Sequence, residues 1–169
     1  MWKLKRLMVT IAAGLISLNC YAKQISFQVV QHDSSAESVT EQSLTIEDEV
    51  LNKFFEYGFI VTNSSAEIAK SDNADEKLFK SGIGEAFNGY SDYFVQINLF
   101  YTRNENTTSK NADLKKIDFS IANAKTGVTF VENTLENIKL NNKKDDLKKI
   151  SLNLADEINK ALKANRDKA

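Results

Sequence analysis

Five acids lie around one stretch of the chain: Asp72, Asp75, Glu76, Glu85 and Asp92. Paired carboxylates can act as general acid and base in hydrolysis, or hold a hard cation such as calcium. A calcium loop of the EF-hand type needs ligands at alternate positions around a central glycine, and this spacing does not supply them. The acids therefore read first as helix-start charges and a solvated face, with an envelope hydrolase as a minor alternative. His32 is the one histidine in the chain, which excludes a two-histidine metal site or a second histidine for any triad. It opens the polar run "HDSSAESVTEQS" and is predicted to be a solvated loop residue. "SGIGEAFNG" is glycine-rich, but it lacks the Gly-Lys-Ser/Thr ending of a phosphate loop, and Lys80 precedes it. No cofactor, metal or catalytic set is expected.

Cys20 is the one cysteine, so the chain forms no internal disulfide and no cysteine-based zinc site. It stands at the end of an export-like segment. Lys3, Lys5 and Arg6 form a positive head, and Leu7 to Leu18 form an apolar run broken by Thr10, Gly14 and Ser17. That run is about 12 residues, whereas a membrane span needs roughly 20. Cys20 and Ala22 then occupy the −3 and −1 places of a signal-peptidase site. The expectation is a signal peptide over 1–22 and a single domain over 23–169. The alternative is lipidation at Cys20. The lipobox match is poor, with Ser17 at −3, Leu18 at −2 and Asn19 at −1, and Tyr21 to Gln24 leave almost no tether before the first strand. The expected address is periplasmic or secreted, with a membrane-anchored lipoprotein as the alternative.

Removing 1–22 leaves 19 basic against 23 acidic residues. A mildly acidic domain is poorly suited to nucleic acid, whose affinity rests on Lys and Arg. Membrane contact is expected only through the signal peptide or lipidation at Cys20. The chain has no proline and is rich in Asn and Lys, which reads as an AT-rich bacterial coding bias.

The elements that must position these residues follow from hydrophobic period. "QISFQVVQ" alternates, with Ile25, Phe27 and Val29 on one face of a strand. Thr45 is predicted to cap a helix whose apolar face is Val50, Leu51, Phe54 and Phe55, with Gly58 stopping it before the strand "FIVTN". A short helical turn is predicted at Ser65 to Ala69. A second helix over 75–88 carries Leu78, Phe79, Ile83, Ala86 and Phe87, with Gly82 and Gly84 either allowing close packing or marking a weak or bent helix. In "SDYFVQINLFYTR", Tyr93, Val95, Ile97, Leu99 and Tyr101 share one face of a strand. A polar loop over 103–112 leads to a hairpin with Ile117, Phe119 and Ile121 inward. Its turn holds Gly127, Val128 and Phe130 then resume the alternation, and Val131 points the other way. The last helix, 143–164, buries Leu147, Ile150, Leu154, Ile158 and Leu162. The order β-α-β-α-β-β-β-α specifies an α/β (α+β-like) fold with a single mixed β-sheet and helices packed mainly on one face.

The other face of the central strand is mixed: Phe94, Gln96, Asn98 and Phe100. If helices cover only the opposite face, these four form a partly exposed strip of aromatics and amides, a candidate partner surface.

The series "EVLNKFFEYGFIVTN", "SDYFVQINLFY", "KKIDFSIANAKTGVTFVEN" and "LKKISLNLADEINKAL" resembles the small exported α/β domain of bacterial envelope proteins. Those similar families are the N-terminal domain of the Tol-system propeller protein, the curli-secretion lipoproteins and the lipoprotein activators of penicillin-binding proteins. The matching positions are Gly58, Phe59, Asp92, Tyr93, Thr126, Gly127, Val128 and Phe130. The resemblance implies an envelope location and a non-enzymatic binding or assembly module with an envelope protein partner, and it transfers no catalytic residue. A soluble subunit of a secretion or motility apparatus is the alternative it suggests.

Overall fold

The computed structural model describes residues 22–33, 36–70, 72–102, 112–140 and 143–166. Cys20 and residues 1–21 of the expected signal peptide lie outside that set, as do residues 103–111 of the expected loop. The elements are β1 (Gln24–His32), α1 (Glu41–Glu56), β2 (Ile60–Asn63), β3 (Glu67–Ile68), α2 (Asp72–Asn88), β4 (Tyr93–Thr102), β5 (Asp113–Asn123), β6 (Thr129–Leu135) and α3 (Lys143–Arg166). The sheet runs β2-β1-β4-β5-β6, with β3 also pairing β1. β1 is parallel to β2, β3 and β4, while β4, β5 and β6 are antiparallel neighbours, so the single mixed sheet is as expected.

The two faces of the sheet follow from strand alternation. On one face, Ile25, Phe27 and Val29 of β1, Val95, Ile97 and Leu99 of β4, and Ile117, Phe119 and Ile121 of β5 are all buried. Against them lie Ile46, Val50 and Phe54 of α1 and Leu147, Leu154, Ile158 and Leu162 of α3. Burying each large side chain of this kind stabilises the fold by about 1.5–3 kcal/mol. α2 packs alone on the opposite face, where Phe79, Ile83 and Ala86 meet Phe94 and Ala124.

Tertiary contacts move several predicted boundaries. α1 starts at Glu41, and its N-cap is Thr40 rather than Thr45. Thr45 instead donates to the Glu41 carbonyl within the helix. Local acids favour both starts, but Gln31 decides between them. Its side-chain oxygen accepts from Thr40 N and from Ser43 Oγ, each at 2.8 Å, and Ser43 Oγ meets the Tyr101 hydroxyl at 2.9 Å. Burial pushes the Tyr101 hydroxyl above its ordinary pKa, although the Ser43 and Thr40 bonds act the other way. The turn expected at Ser65 to Ala69 is instead β3, because β1 outruns β2 and its free edge takes Glu67 opposite Val30. A register shift at Ile121/Ala122 puts both Phe130 and Val131 against the main core, where strict alternation would separate them.

Asp92 locks the starts of β1 and β4 together. Its Oδ2 accepts from Gln24 N at 3.1 Å, its own N–H donates to the Gln24 carbonyl at 2.9 Å, and Lys23 Nζ and Lys125 Nζ lie 3.3 and 3.6 Å from Oδ1. Partial burial alone would raise its pKa, but the Gln24 N–H and the two lysines outweigh it and hold the carboxyl below the usual range.

The glycines of α2 have different roles. A Cβ on Gly82 would stand 2.1 Å from the Phe94 ring, whereas one on Gly84 would meet nothing within 4 Å. Gly82 therefore sets how closely α2 approaches the sheet, and Phe94, fully buried, cannot swing aside. Gly82→Ala is predicted to destabilise by about 1–3 kcal/mol. Gly84→Ala is predicted to stabilise by about 0.5–1 kcal/mol, so denaturant titration should shift the two midpoints in opposite directions. For Asp92→Asn, the depressed carboxyl contributes stability above its unfolded pKa and loses it as pH falls. The stability gap from wild type should be full at neutral pH and close below about pH 4.

Candidate functional site

On the α2 side, the register places polar residues in rows across three strands. Gln28 of β1 faces Gln96 of β4, which faces Ser120 of β5. His32 faces Phe100, which faces Lys116, and Asn98 faces Asp118. An ordinary core would fill such positions with apolar side chains.

The expected strip is divided by α2. Phe94 and Gln96 are buried beneath the helix, at 0% and 2% exposure, so the premise that helices cover only the opposite face does not hold for this half. Asn98 and Phe100 are half-buried at its margin. Gly82 is the physical reason, since it lets α2 lie directly on Phe94.

At the open end, Phe100 is held between two cationic or ionisable neighbours. The His32 ring stacks on it with centroids 4.2 Å apart and planes at 18°. Lys116 Nζ lies 3.9 Å from the ring centroid, within cation–π range, and reaches Asp118 Oδ2 at 2.6 Å. His32 Nε2 lies 3.5 Å from both Asn98 Oδ1 and Asp75 Oδ1. Asn98 Nδ2 in turn donates to Gln96 Oε1 at 3.4 Å. His32 is thus a strand residue at the head of a polar network, not the solvated loop residue expected. The signal for it was the two-residue alternation of β1, which continues from Ser26 and Gln28 through Val30 to His32.

The network retains unused hydrogen-bonding capacity. Gln28 Oε1, Gln96 Nε2 and Asp118 Oδ1 are buried without a partner in the chain among the described residues. Each such group costs about 1–3 kcal/mol relative to a satisfied one. Gln31 Nε2, on the opposite face, and Asn159 Oδ1 of α3 are in the same state.

Four of the five acids named in the sequence do not converge, and the side chain of the fifth, Asp72, lies outside those described. Asp75 faces His32, Glu76 pairs with Lys80, Glu85 accepts from Ser64, and Asp92 is taken up between β1 and β4. Among the described residues, no three His, Cys, Asp or Glu side chains gather in one place. His32 is oriented by an amide and a carboxylate, so the arrangement suits hydrogen bonding and cation–π recognition.

Comparison with solved structures finds distant likenesses. Lipoprotein GNA1162 from Neisseria meningitidis is 10% identical with a TM-score of 0.47, covering 82% of this chain and 99% of its own. A PelC dodecamer subunit from Paraburkholderia phytofirmans is 11% identical with a TM-score of 0.42, covering 83% and 86%. The LpoB C-terminal domain from Salmonella enterica is 12% identical with a TM-score of 0.40, covering 73% and 89%. At these scores the likenesses bear no functional inference. No curated protein sequence matches the chain. Residues 24–163 match the model of a protein family described as "Uncharacterised protein", and the chain belongs to that family.

Proposed function

We propose that the chain is an exported, non-enzymatic module of the bacterial cell envelope that binds a protein partner through the open end of its polar sheet face. The export-like segment over 1–22 supports the address. The observation that carries the binding role is the His32–Phe100–Lys116 stack, half-buried beside Asn98 and Asp118 at the margin of α2. Aromatic side chains such as Phe100 are enriched at interfaces, and Lys116 places a charge against its ring. The original strip is narrowed by this reading: Asn98 and Phe100 stay in the surface, while Phe94 and Gln96 support it from below.

The separate engagement of Asp75, Glu76, Glu85 and Asp92 favours this reading over a carboxylate hydrolase. A role as subunit of a secretion or motility apparatus is one form that partner binding could take, and genome neighbourhood would distinguish it.

The test uses exported, affinity-tagged protein and compares wild type with the Phe100→Ser/Lys116→Glu double variant. Removing an interface anchor of this type typically weakens a complex by about 2 kcal/mol or more, roughly thirtyfold. The variant is expected to lose the envelope protein that wild type retains, with its thermal midpoint reduced only slightly. Equal retention by both proteins, or retention of nothing by wild type, counts against the proposal.

A further inference from the structure

The opposite end of α2 carries a second surface. Phe87, Asn88, Tyr90, Ser91 and Lys125 line an open groove of about 590 Å³. Phe87 is 57% exposed, Tyr90 88%, and Val128, on the same turn as Lys125, 61%. Scattered single apolar residues are ordinary on a surface, but aromatics gathered around one groove are not.

The backbone at Tyr90 sharpens this. Two helices of the chain end in the same 6→1 and 5→2 hydrogen-bond pattern. At α1 the bonds are Phe59 N to Phe54 O and Gly58 N to Phe55 O, and Gly58 takes the left-handed residue at φ 81°. At α2 they are Ser91 N to Ala86 O and Tyr90 N to Phe87 O, and Tyr90 holds the equivalent place at φ 60°. That place favours glycine because a Cβ is strained there. Gly89 stands next door without filling it. The chain uses glycine where only the turn matters and tolerates strain where it displays a tyrosine.

The groove also lies where the N-terminal segment joins the domain. Gln24 Nε2 donates to Gly89 O at 3.0 Å, Gln24 N to Asp92 Oδ2 at 3.1 Å, and Lys23 and Lys125 share Asp92 between them. Two lysines thus surround one carboxylate here, while Glu85, one turn back on α2, is engaged by Ser64. From the last residue of the apolar run, Leu18, to Ala22 is four residues, a reach of at most about 14 Å. While that run is held in a membrane, or if Cys20 is acylated, this end of the domain sits against the headgroups. After cleavage following Ala22, the new α-amino group adds a further cation beside the groove. Exposed Tyr and Phe with Lys alongside is the chemistry of a membrane–water interface, since the rings sit at headgroup depth and lysine meets anionic lipid. No helix among the described residues is long and apolar enough to cross a membrane.

We infer that the Phe87–Tyr90–Lys125 groove is a docking surface for an anionic lipid bilayer, which orients the domain on the membrane independently of any anchor. The experiment exports the full chain with Cys20→Ala, so that no acyl group contributes while the −3/−1 pair becomes Ala-x-Ala. The purified protein is sedimented with vesicles of phosphatidylethanolamine and phosphatidylglycerol, and with phosphatidylcholine alone. Preferential binding to the anionic vesicles is expected. Phe87→Ser and Tyr90→Gly should each weaken it by roughly fivefold or more. Tyr90→Gly separates function from folding, because relief of the left-handed strain should raise the thermal midpoint while vesicle binding falls. The inference is overturned if the parent protein does not bind anionic vesicles, if the variants bind them equally, or if a photoreactive residue at position 90 crosslinks protein rather than lipid in the envelope.

Discussion

The approach of α2 to the sheet at Gly82 is the constraint on which the rest of the molecule depends. The opposite face is covered by two helices over a mainly apolar core that also buries the Gln31, Ser43 and Tyr101 cluster. This face has one helix and a set of amides and charges. With any side chain at position 82, the Phe94 ring would have to move, and it is fully buried with Phe79 tilted against it at 5.6 Å. Seated there, α2 covers Phe94 and Gln96, leaves Asn98 and Phe100 at its margin, and carries Tyr90 to the end of the domain where the N-terminal segment emerges.

Much of this arrangement is legible in the residues, because period is a local property. The alternation of β4 identifies both faces before any neighbour is known, and the stripe of α3 and the Gly58 stop of α1 are equally local. What could not be read depends on pairing between distant segments. The start of α1 is decided by the Gln31 amide, Ser43 and the Tyr101 hydroxyl, which come together only once β1 and β4 are side by side. β3 exists because β1 is longer than β2, a fact about an edge rather than about Glu67 and Ile68 themselves. The β5–β6 bulge likewise belongs to the pair of strands.

The candidate site shows the same division. Phe94, Gln96, Asn98 and Phe100 are correctly placed on one face by spacing alone. Which of them reaches solvent depends on Gly82, whose two sequence readings, close packing or a weak helix, were indistinguishable without the ring beneath it. His32 was missed because its polar successors mark a loop, although it continues the alternation of β1. Its stack on Phe100 and its place between Asn98 and Asp75 require β1, β4 and α2 together. The two proposed surfaces thus sit at the two margins of one helix, one lined by polar side chains and the other by the left-handed Tyr90.

The central claim, that the open end of the polar face is where the partner binds, is tested most directly by photocrosslinking in the living envelope. A photoreactive amino acid at position 100 should yield one discrete protein adduct. The same residue at position 55, exposed on α1, should not yield that adduct. An adduct from position 55 with none from position 100 would contradict the account.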